Sequence, residues 1–171
     1  QKSYRQRMST RRNENAIRIE ENVALANFTT LKLGGNARYF VECNSVAQIL
    51  STLEFARRNH LRVHVLGGGS NTIVLDEGFE GLVLRIALCG IHFVLENNDV
   101  KLTVAAGEEW DECVQFCIQK NLGGVECLSG IPGLVGATPM QIVGAYGQEV
   151  SETIVEVKAI ERATLDEVRF T

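Results

Sequence analysis

The run Gly67-Gly68-Gly69-Ser70-Asn71 is the part of the sequence best suited to bind an anion. Three successive glycines let the backbone take positive φ values, so that neighbouring N–H groups can converge on one anion. Ser70 and Asn71 add side-chain donors, and a diphosphate fits such a cradle without a lysine. A P-loop requires a lysine after the glycines, and none follows here. A Rossmann turn is followed by a helix, whereas residues 72–75 predict a strand. A phosphate-binding loop between two strands is predicted, with a plain glycine-rich hairpin turn as the alternative.

A second glycine-rich run, residues 129–147, contains both prolines and no charged residue. Exposed loops are ordinarily polar, so an apolar one is expected to be buried. Glycines at this density let the backbone lie close to a flat group or to another chain segment. An aromatic cofactor ring satisfies that requirement, and a tight crossover between two lobes is the alternative.

The composition indicates an ordinary globular protein. With 171 residues, 45% hydrophobic and 22% charged, the chain suffices for one domain or for two small lobes that share a core. No apolar run approaches the ~18 residues of a membrane span. The basic start is not followed by the apolar stretch of a signal peptide, so a cytoplasmic location and no membrane partner are expected.

Charge is distributed unevenly along the chain. The first twelve residues carry a charge of +5 and contain no acidic residue. Because the net charge of the chain is −4, the remaining residues carry −9. Residues 1–20 are predicted to be a flexible basic N-terminal arm, with contact to nucleic acid or membrane as the alternative. The acidic body argues against nucleic-acid binding. The basic residues are Lys2, Arg5, Arg7, Arg11 and Arg12.

No metal site is predicted from the cysteines. Their number is odd and no C-x-x-C pair occurs. Cys113 and Cys117 lie one helical turn apart, but no histidine or second cysteine pair supports them as metal ligands. All are expected to be reduced and mostly buried, and they are Cys43, Cys89, Cys113, Cys117 and Cys127.

Residues 21–85 are expected to form a first α/β lobe. A strand begins at Arg38, and Ser45 with Gln48 resembles a capping box before a helix that ends at Asn59 and His60. Three further strands are predicted at residues 61–66, 72–75 and 82–84.

Residues 86–171 are expected to form a second lobe. It starts with a hairpin of residues 93–95 and 100–104 around the turn Asn97-Asn98-Asp99. A helix follows Gly107 and is stopped by Gly123-Gly124. A final strand is predicted within residues 154–160. The helix's inner face is predicted to comprise Trp110, Cys113, Val114, Cys117 and Ile118.

Four ordered motifs resemble one enzyme family. The segments NFTTLKLGGNARYF, VLGGGSN, SGIPGLVGATPMQ and GAYGQEV are similar to those of the UDP-N-acetylenolpyruvoylglucosamine reductases, also called UDP-N-acetylmuramate dehydrogenases. The resemblance extends from about Asn27 to Thr171. GGGSN alone would indicate only the wider superfamily of FAD-linked oxidases.

This resemblance implies an α+β fold, the two-lobed FAD-binding domain of the FAD-linked oxidase (PCMH-type) superfamily. It implies non-covalent FAD, since no histidine stands where covalent attachment is expected. NADPH would reduce the flavin, which would then reduce the enolpyruvyl double bond of the UDP-sugar to give UDP-N-acetylmuramate for peptidoglycan. The FAD diphosphate would be held by Gly67, Gly68, Gly69, Ser70 and Asn71. The rest of the FAD site would be lined by Ile131, Pro132, Gly133, Gly136, Ala137, Thr138, Gln141, Gly144, Ala145 and Tyr146.

The sequence departs from the family pattern in two ways. Ile142 stands where the family usually has Asn, and losing that amide would weaken a local hydrogen bond by ~1 kcal/mol. The family's catalytic Arg, Ser and Glu are expected beyond Thr171, the last two with a C-terminal substrate domain. No catalytic residue is therefore assigned, and this chain alone is expected to be inactive.

Three alternatives to this family stay open on the sequence. Another FAD-linked oxidase or dehydrogenase would share the first loop, and a substrate screen would distinguish it. A non-catalytic flavin or nucleotide-binding module would hold a flavin that NADPH cannot reduce. A purely structural α/β domain would bind no cofactor.

Overall fold

The computed structural model describes residues 16–97 and 99–171. Most of the predicted basic arm, residues 1–15, and Asn98 of the predicted hairpin turn lie outside the described residues. Among the residues described, every helix is too short or too polar to cross a membrane.

A four-stranded mixed sheet forms the first half of the fold. The strand order is β1-β2-β4-β3, with β1 antiparallel to β2, and with β2 and β3 both parallel to β4. Helix α1, Val46–Arg58, connects β2 to β3. The strands are β1 Glu20–Ala24, β2 Asn36–Cys43, β3 Val63–Leu66 and β4 Phe79–Ile86.

Both faces of this sheet are covered, which explains why β4 is apolar without alternation. Leu82 and Leu84 point into a core shared with Leu53 and Ala56 of α1. Val83 points to the other side, into a second core. That second core also contains Leu25, Ala37, Phe40 and Leu66.

The capping box predicted for α1 is present with one change of partner. The Gln48 backbone N–H donates to Ser45 Oγ at 3.2 Å, as a capping box requires. The Gln48 side-chain oxygen, however, accepts from the Asn44 N–H at 2.8 Å, one residue before the N-cap. The helix ends where predicted, with Asn59 as its C-cap.

The strand predicted at residues 72–75 is wrong. The Leu75 carbonyl accepts hydrogen bonds from the Gly35 and Gly78 N–H groups, both at 2.9 Å, but the segment joins no sheet. Since β3 pairs directly and in parallel with β4, the chain between them has to return outside the sheet. Ile73 and Leu75 consequently stay 81% and 70% exposed.

The second half is built around α2, Trp110–Gln119, after the hairpin of β5, Ile91–Glu96, and β6, Asp99–Val104. Trp110 and Val114 anchor a third core, but Ile118 is 49% exposed and was wrongly placed on the inner face. The helix ends before Gly123-Gly124, because Asn121 takes the left-handed conformation (φ 56°) that terminates helices.

The glycine-rich segment after α2 folds into short elements. Besides 3-10 turns, it contains α3, Thr138–Gln141, and a small hairpin of β7, Gly144–Ala145, with β8, Gln148–Glu149. A last hairpin follows, β9 Val157–Ile160 with β10 Glu167–Phe170, where a single strand was predicted. Ile160 and Leu165 of this hairpin pack against the α1 core. The lobe boundaries at residues 21–85 and 86–171 stay a prediction.

All five cysteines are free; Cys43, Cys113 and Cys117 are buried, whereas Cys89 and Cys127 are exposed. Burial raises the pKa of the Cys113 thiol to about 12, so that this side chain packs as a small neutral group. Within residues 16–97 and 99–171, no three His, Cys, Asp or Glu side chains cluster as metal ligands would.

Candidate functional site

Two glycine-rich loops that are distant in sequence meet in the fold. A Cβ added to Gly68 would lie 3.6 Å from the Gly133 Cα, and one added to Gly133 would lie 3.5 Å from Ser70 Oγ. A third segment joins them, because the Thr30 N–H donates to the Gly69 carbonyl at 3.1 Å. The predicted diphosphate loop and the predicted ring-binding loop therefore share one surface.

Gly69 is a glycine because the fold requires it. Its φ is +71°, and it is buried. A Cβ there would overlap the Phe28 carbonyl oxygen and lie 2.9 Å from the Thr29 Cα. Backbone cannot give way as a flexible side chain can, so this position excludes larger residues.

Gly67 and Gly68 are different, because neither has a left-handed φ. A Cβ on Gly67 would make an ordinary contact of 3.7 Å with Leu134, and one on Gly68 would also find normal distances. Among the described residues, nothing requires glycine at these two positions. A bare backbone of this kind would allow a ligand to approach closely.

The second loop is pinned to the segment that begins α2. The Trp110 backbone N–H donates to the Gly133 carbonyl, and its indole Nε1 donates to the Leu128 carbonyl, both at 2.9 Å. Val135 and Gly136 donate to carbonyls of Glu108 and Ala106 at the same distance. These bonds hold the second loop against the segment that leads into α2.

The expected burial of the second loop is only partly correct. Leu134, Thr138 and Val143 are buried. Three large apolar side chains point outward instead, and we call them the outer face: Met140 at 87%, Ile142 at 71% and Tyr146 at 93% exposure. One set of side chains anchors the loop in the protein interior, and the outer face is exposed at the surface. Such exposed apolar groups are typical of ligand and interaction surfaces.

The outer face is carried by unusual backbone. Tyr146 and Gly147 form the two-residue turn between β7 and β8, with φ of 52° and 80°, as in a type I′ turn. A type I′ turn favours Asn-Gly, so an exposed tyrosine at the first turn position does not stabilise the turn. Strained conformations of this kind concentrate at functional sites.

Ile142 follows α3 in the left-handed conformation, φ 49° and ψ 57°. A β-branched residue is poorly suited to this region, which Asn adopts readily. We expect Ile142→Asn to raise the free energy of unfolding by about 1 kcal/mol and the melting temperature by ~2–4 °C. Thermal unfolding checks this, with Ile142→Val as the control that keeps the branch. Equal melting temperatures for the two variants would contradict the strain argument.

Two carboxylates outside the residues predicted for the site hold loop backbone. Hydrogen bonds from the Gly130 N–H and from Ser129 keep the pKa of Asp111 below its usual range. Glu126 accepts from the Gly124 N–H at 2.6 Å, and its pKa is lowered by its own backbone N–H and by that of Gly124. The sequence offered only one signal, the acidic cluster at the start of α2.

The other predicted site residues divide by environment. Ile131 and Ala145 pack against the Trp110 core. The Thr138 hydroxyl donates to the Val135 carbonyl at 2.9 Å and is thereby used inside the loop. A Cβ on Gly136 would lie 2.6 Å from that of Ala106, so this glycine serves packing. The exposed members are Asn71, Pro132, Gln141 and Gly144, and the partly buried ones include Ser70 and Ala137.

Comparison with known proteins identifies a family for this chain. The model of the family described as FAD binding domain matches residues 37–164. The chain is 50% identical over 142 residues to the UDP-N-acetylenolpyruvoylglucosamine reductase of Saccharopolyspora erythraea, and 47% identical over 143 residues to that of Thermobifida fusca. These matches cover 82% and 83% of the chain but only 39% and 40% of the relatives. The chain thus spans about two fifths of the curated relatives it matches.

Solved structures agree with this result. The UDP-N-acetylenolpyruvylglucosamine reductase of Thermus caldophilus superposes with a TM-score of 0.71 at 26% identity, over 91% of this chain and 53% of that one. A solvent-stable cholesterol oxidase superposes with a TM-score of 0.66 at 15% identity, over 90% of this chain and 33% of that one, and shows the fold alone. The fold class predicted from the sequence is confirmed.

Proposed function

The chain belongs to the FAD-binding domain family, and we propose that it is the FAD-binding portion of a UDP-N-acetylenolpyruvoylglucosamine reductase. The observation that carries the proposal is the meeting of the two loops at Gly68, Ser70 and Gly133. One loop offers bare backbone where the fold does not need it, and the other presents apolar side chains beside it. An anionic, aromatic cofactor needs both.

In this proposal the diphosphate of non-covalently bound FAD lies against the N–H groups of the first loop. The arrangement fits the group, because Gly67 and Gly68 leave backbone uncovered and Ser70 and Asn71 supply side-chain donors. The flavin ring lies along the second loop, where Gly133 and the outer face offer flat and apolar surface. The remaining contacts are those predicted above.

When bound, FAD would carry a hydride from NADPH to the enolpyruvyl double bond of UDP-N-acetylglucosamine enolpyruvate, giving UDP-N-acetylmuramate for peptidoglycan. The residues of this chain bind and orient the cofactor. A general acid for the second half of that reaction is not assigned to this chain. We also propose a cytoplasmic location, no nucleic-acid partner and the UDP-sugar as partner of the whole protein.

The absorption spectrum of the purified chain tests the cofactor directly. We expect added FAD to bind with a perturbed visible spectrum, and NADPH without oxygen to bleach it. A flavin that stays oxidised would favour a flavin module without a hydride path. Protein that leaves the FAD spectrum unchanged would contradict the proposed function.

A matched pair at one glycine tests the diphosphate. Gly68→Asp and Gly68→Asn place side chains of equal size where a Cβ has room. We expect Asp to weaken FAD binding about tenfold or more relative to Asn, since two like charges about 4 Å apart repel by ~1–4 kcal/mol. Titration in low salt measures this, and equal dissociation constants would place the diphosphate elsewhere.

A further inference from the structure

We propose that Asp111 is a positioning residue that fixes the backbone at Ser129 and Gly130 for cofactor binding. This inference rests on the proposed function, because it assigns a task to a residue beside the proposed FAD site. Asp111 itself is given no contact with the cofactor.

The geometry is a carboxylate shared among three donors. Asp111 Oδ1 accepts from the Gly130 N–H at 2.6 Å and from Ser129 Oγ at 2.8 Å. Asp111 Oδ2 accepts from Gln115 Nε2 at 2.8 Å, one turn further along α2. Gln115 thereby orients the carboxylate, and the carboxylate holds the loop. Hydrogen bonds to a charged acceptor are stronger than neutral ones.

Packing does not hold this part of the loop. Gly130 has φ +80°, and a Cβ there would meet no described atom within 4 Å. Ser129 and Gly130 are both exposed. On either side the loop is fixed by Trp110, through the carbonyls of Leu128 and Gly133. Ile131, the next residue, packs against the Trp110 core, so Asp111 is the contact that fixes Ser129 and Gly130 themselves.

A fixed loop binds a flat ligand more tightly, because its ordering does not have to be supplied by the binding event. Fixing the backbone of one residue in advance corresponds to roughly a 5- to 30-fold change in affinity. We expect Asp111→Ala to raise the FAD dissociation constant by that factor. Asp111→Asn retains a carbonyl oxygen for the Gly130 N–H and is expected to restore part of the affinity.

The control is Glu112→Ala, which removes the same charge from the exposed neighbouring position in the same helical turn. FAD titration and hydrogen exchange of the Gly130 amide are measured on all variants. We expect Asp111→Ala to weaken binding and to speed exchange at Gly130, while Glu112→Ala changes neither. Ser129→Ala, which removes one donor to Asp111, should weaken FAD binding when Asp111 is present. In the Asp111→Ala background the same substitution should have no additional effect.

The outcomes separate the two proposals. An Asp111→Ala chain that binds FAD as tightly as Glu112→Ala would overturn the positioning role and leave the proposed function intact. Should Asp111→Ala not fold, equal affinities for wild type, Asp111→Asn and Ser129→Ala would overturn the role in the same way. A wild-type chain that does not bind FAD would overturn the proposed function and this role together.

Discussion

Gly69→Ala is expected to unfold the chain or to leave it barely stable. The position has φ +71°, which costs an L-residue about 1–2 kcal/mol. The added methyl would overlap the Phe28 carbonyl and crowd Thr29, and overpacking of this kind costs roughly 1–3 kcal/mol more. A loss of about 3 kcal/mol is a large share of the stability of a domain of this size. Chemical denaturation measures it.

Gly68→Ala provides the comparison one residue away. Its Cβ has ordinary contacts, so we expect its free energy of unfolding to stay within about 0.5 kcal/mol of wild type. Its FAD affinity should fall, because the methyl covers backbone that the diphosphate approaches. If both variants unfolded at the same denaturant concentration, the distinction between a structural and a ligand-facing glycine would be wrong.

The sequence predicted the parts of the fold that rest on local patterns. The Ser45 cap, the end of α1 at Asn59 and the β5–β6 hairpin follow from neighbouring residues, and all three are present. Residues 72–75 have strand propensity, but they join no sheet, and β3 pairs with β4 rather than with this segment. The β10 strand was not predicted, because no recognised hairpin-turn motif precedes it that would indicate pairing with β9. Tertiary pairing, rather than propensity, decided these segments.

The glycine-rich runs predicted an outline of the candidate site. The sequence could not distinguish the glycines that packing requires from those where a side chain would have room. Gly69 and Gly136 serve packing, whereas a side chain would have room at Gly67 and Gly68, and this distinction depends on atoms from distant segments. The sequence signals nothing about Asp111 beyond its place in the first turn of a helix, where any negative charge is favourable. The hydrogen bond between Asp111 and Gly130 forms only because the loop returns to α2. The spacing of residues in the sequence does not predict that return.

Trp110→Ala is the second substitution for which we expect a large effect. Trp110 is the chain's single tryptophan, is 4% exposed, and packs with Val114, Leu128, Val143 and Val150. Truncating a buried tryptophan to alanine costs about 3–5 kcal/mol. Because the same residue anchors the second loop, FAD affinity is expected to fall together with stability. Denaturation and FAD titration measure the two effects.

Trp110→Phe separates the two tasks of this side chain. It keeps most of the apolar volume but leaves the buried Leu128 carbonyl without its 2.9 Å indole partner. An unsatisfied buried acceptor costs about 1–3 kcal/mol, less than the cavity left by alanine. If the indole bond positions the loop, Trp110→Phe should lose FAD affinity out of proportion to its modest loss of stability. If Trp110 only fills the core, affinity should follow stability in both variants, and the loop would be held by the Gly133 bond and by Asp111.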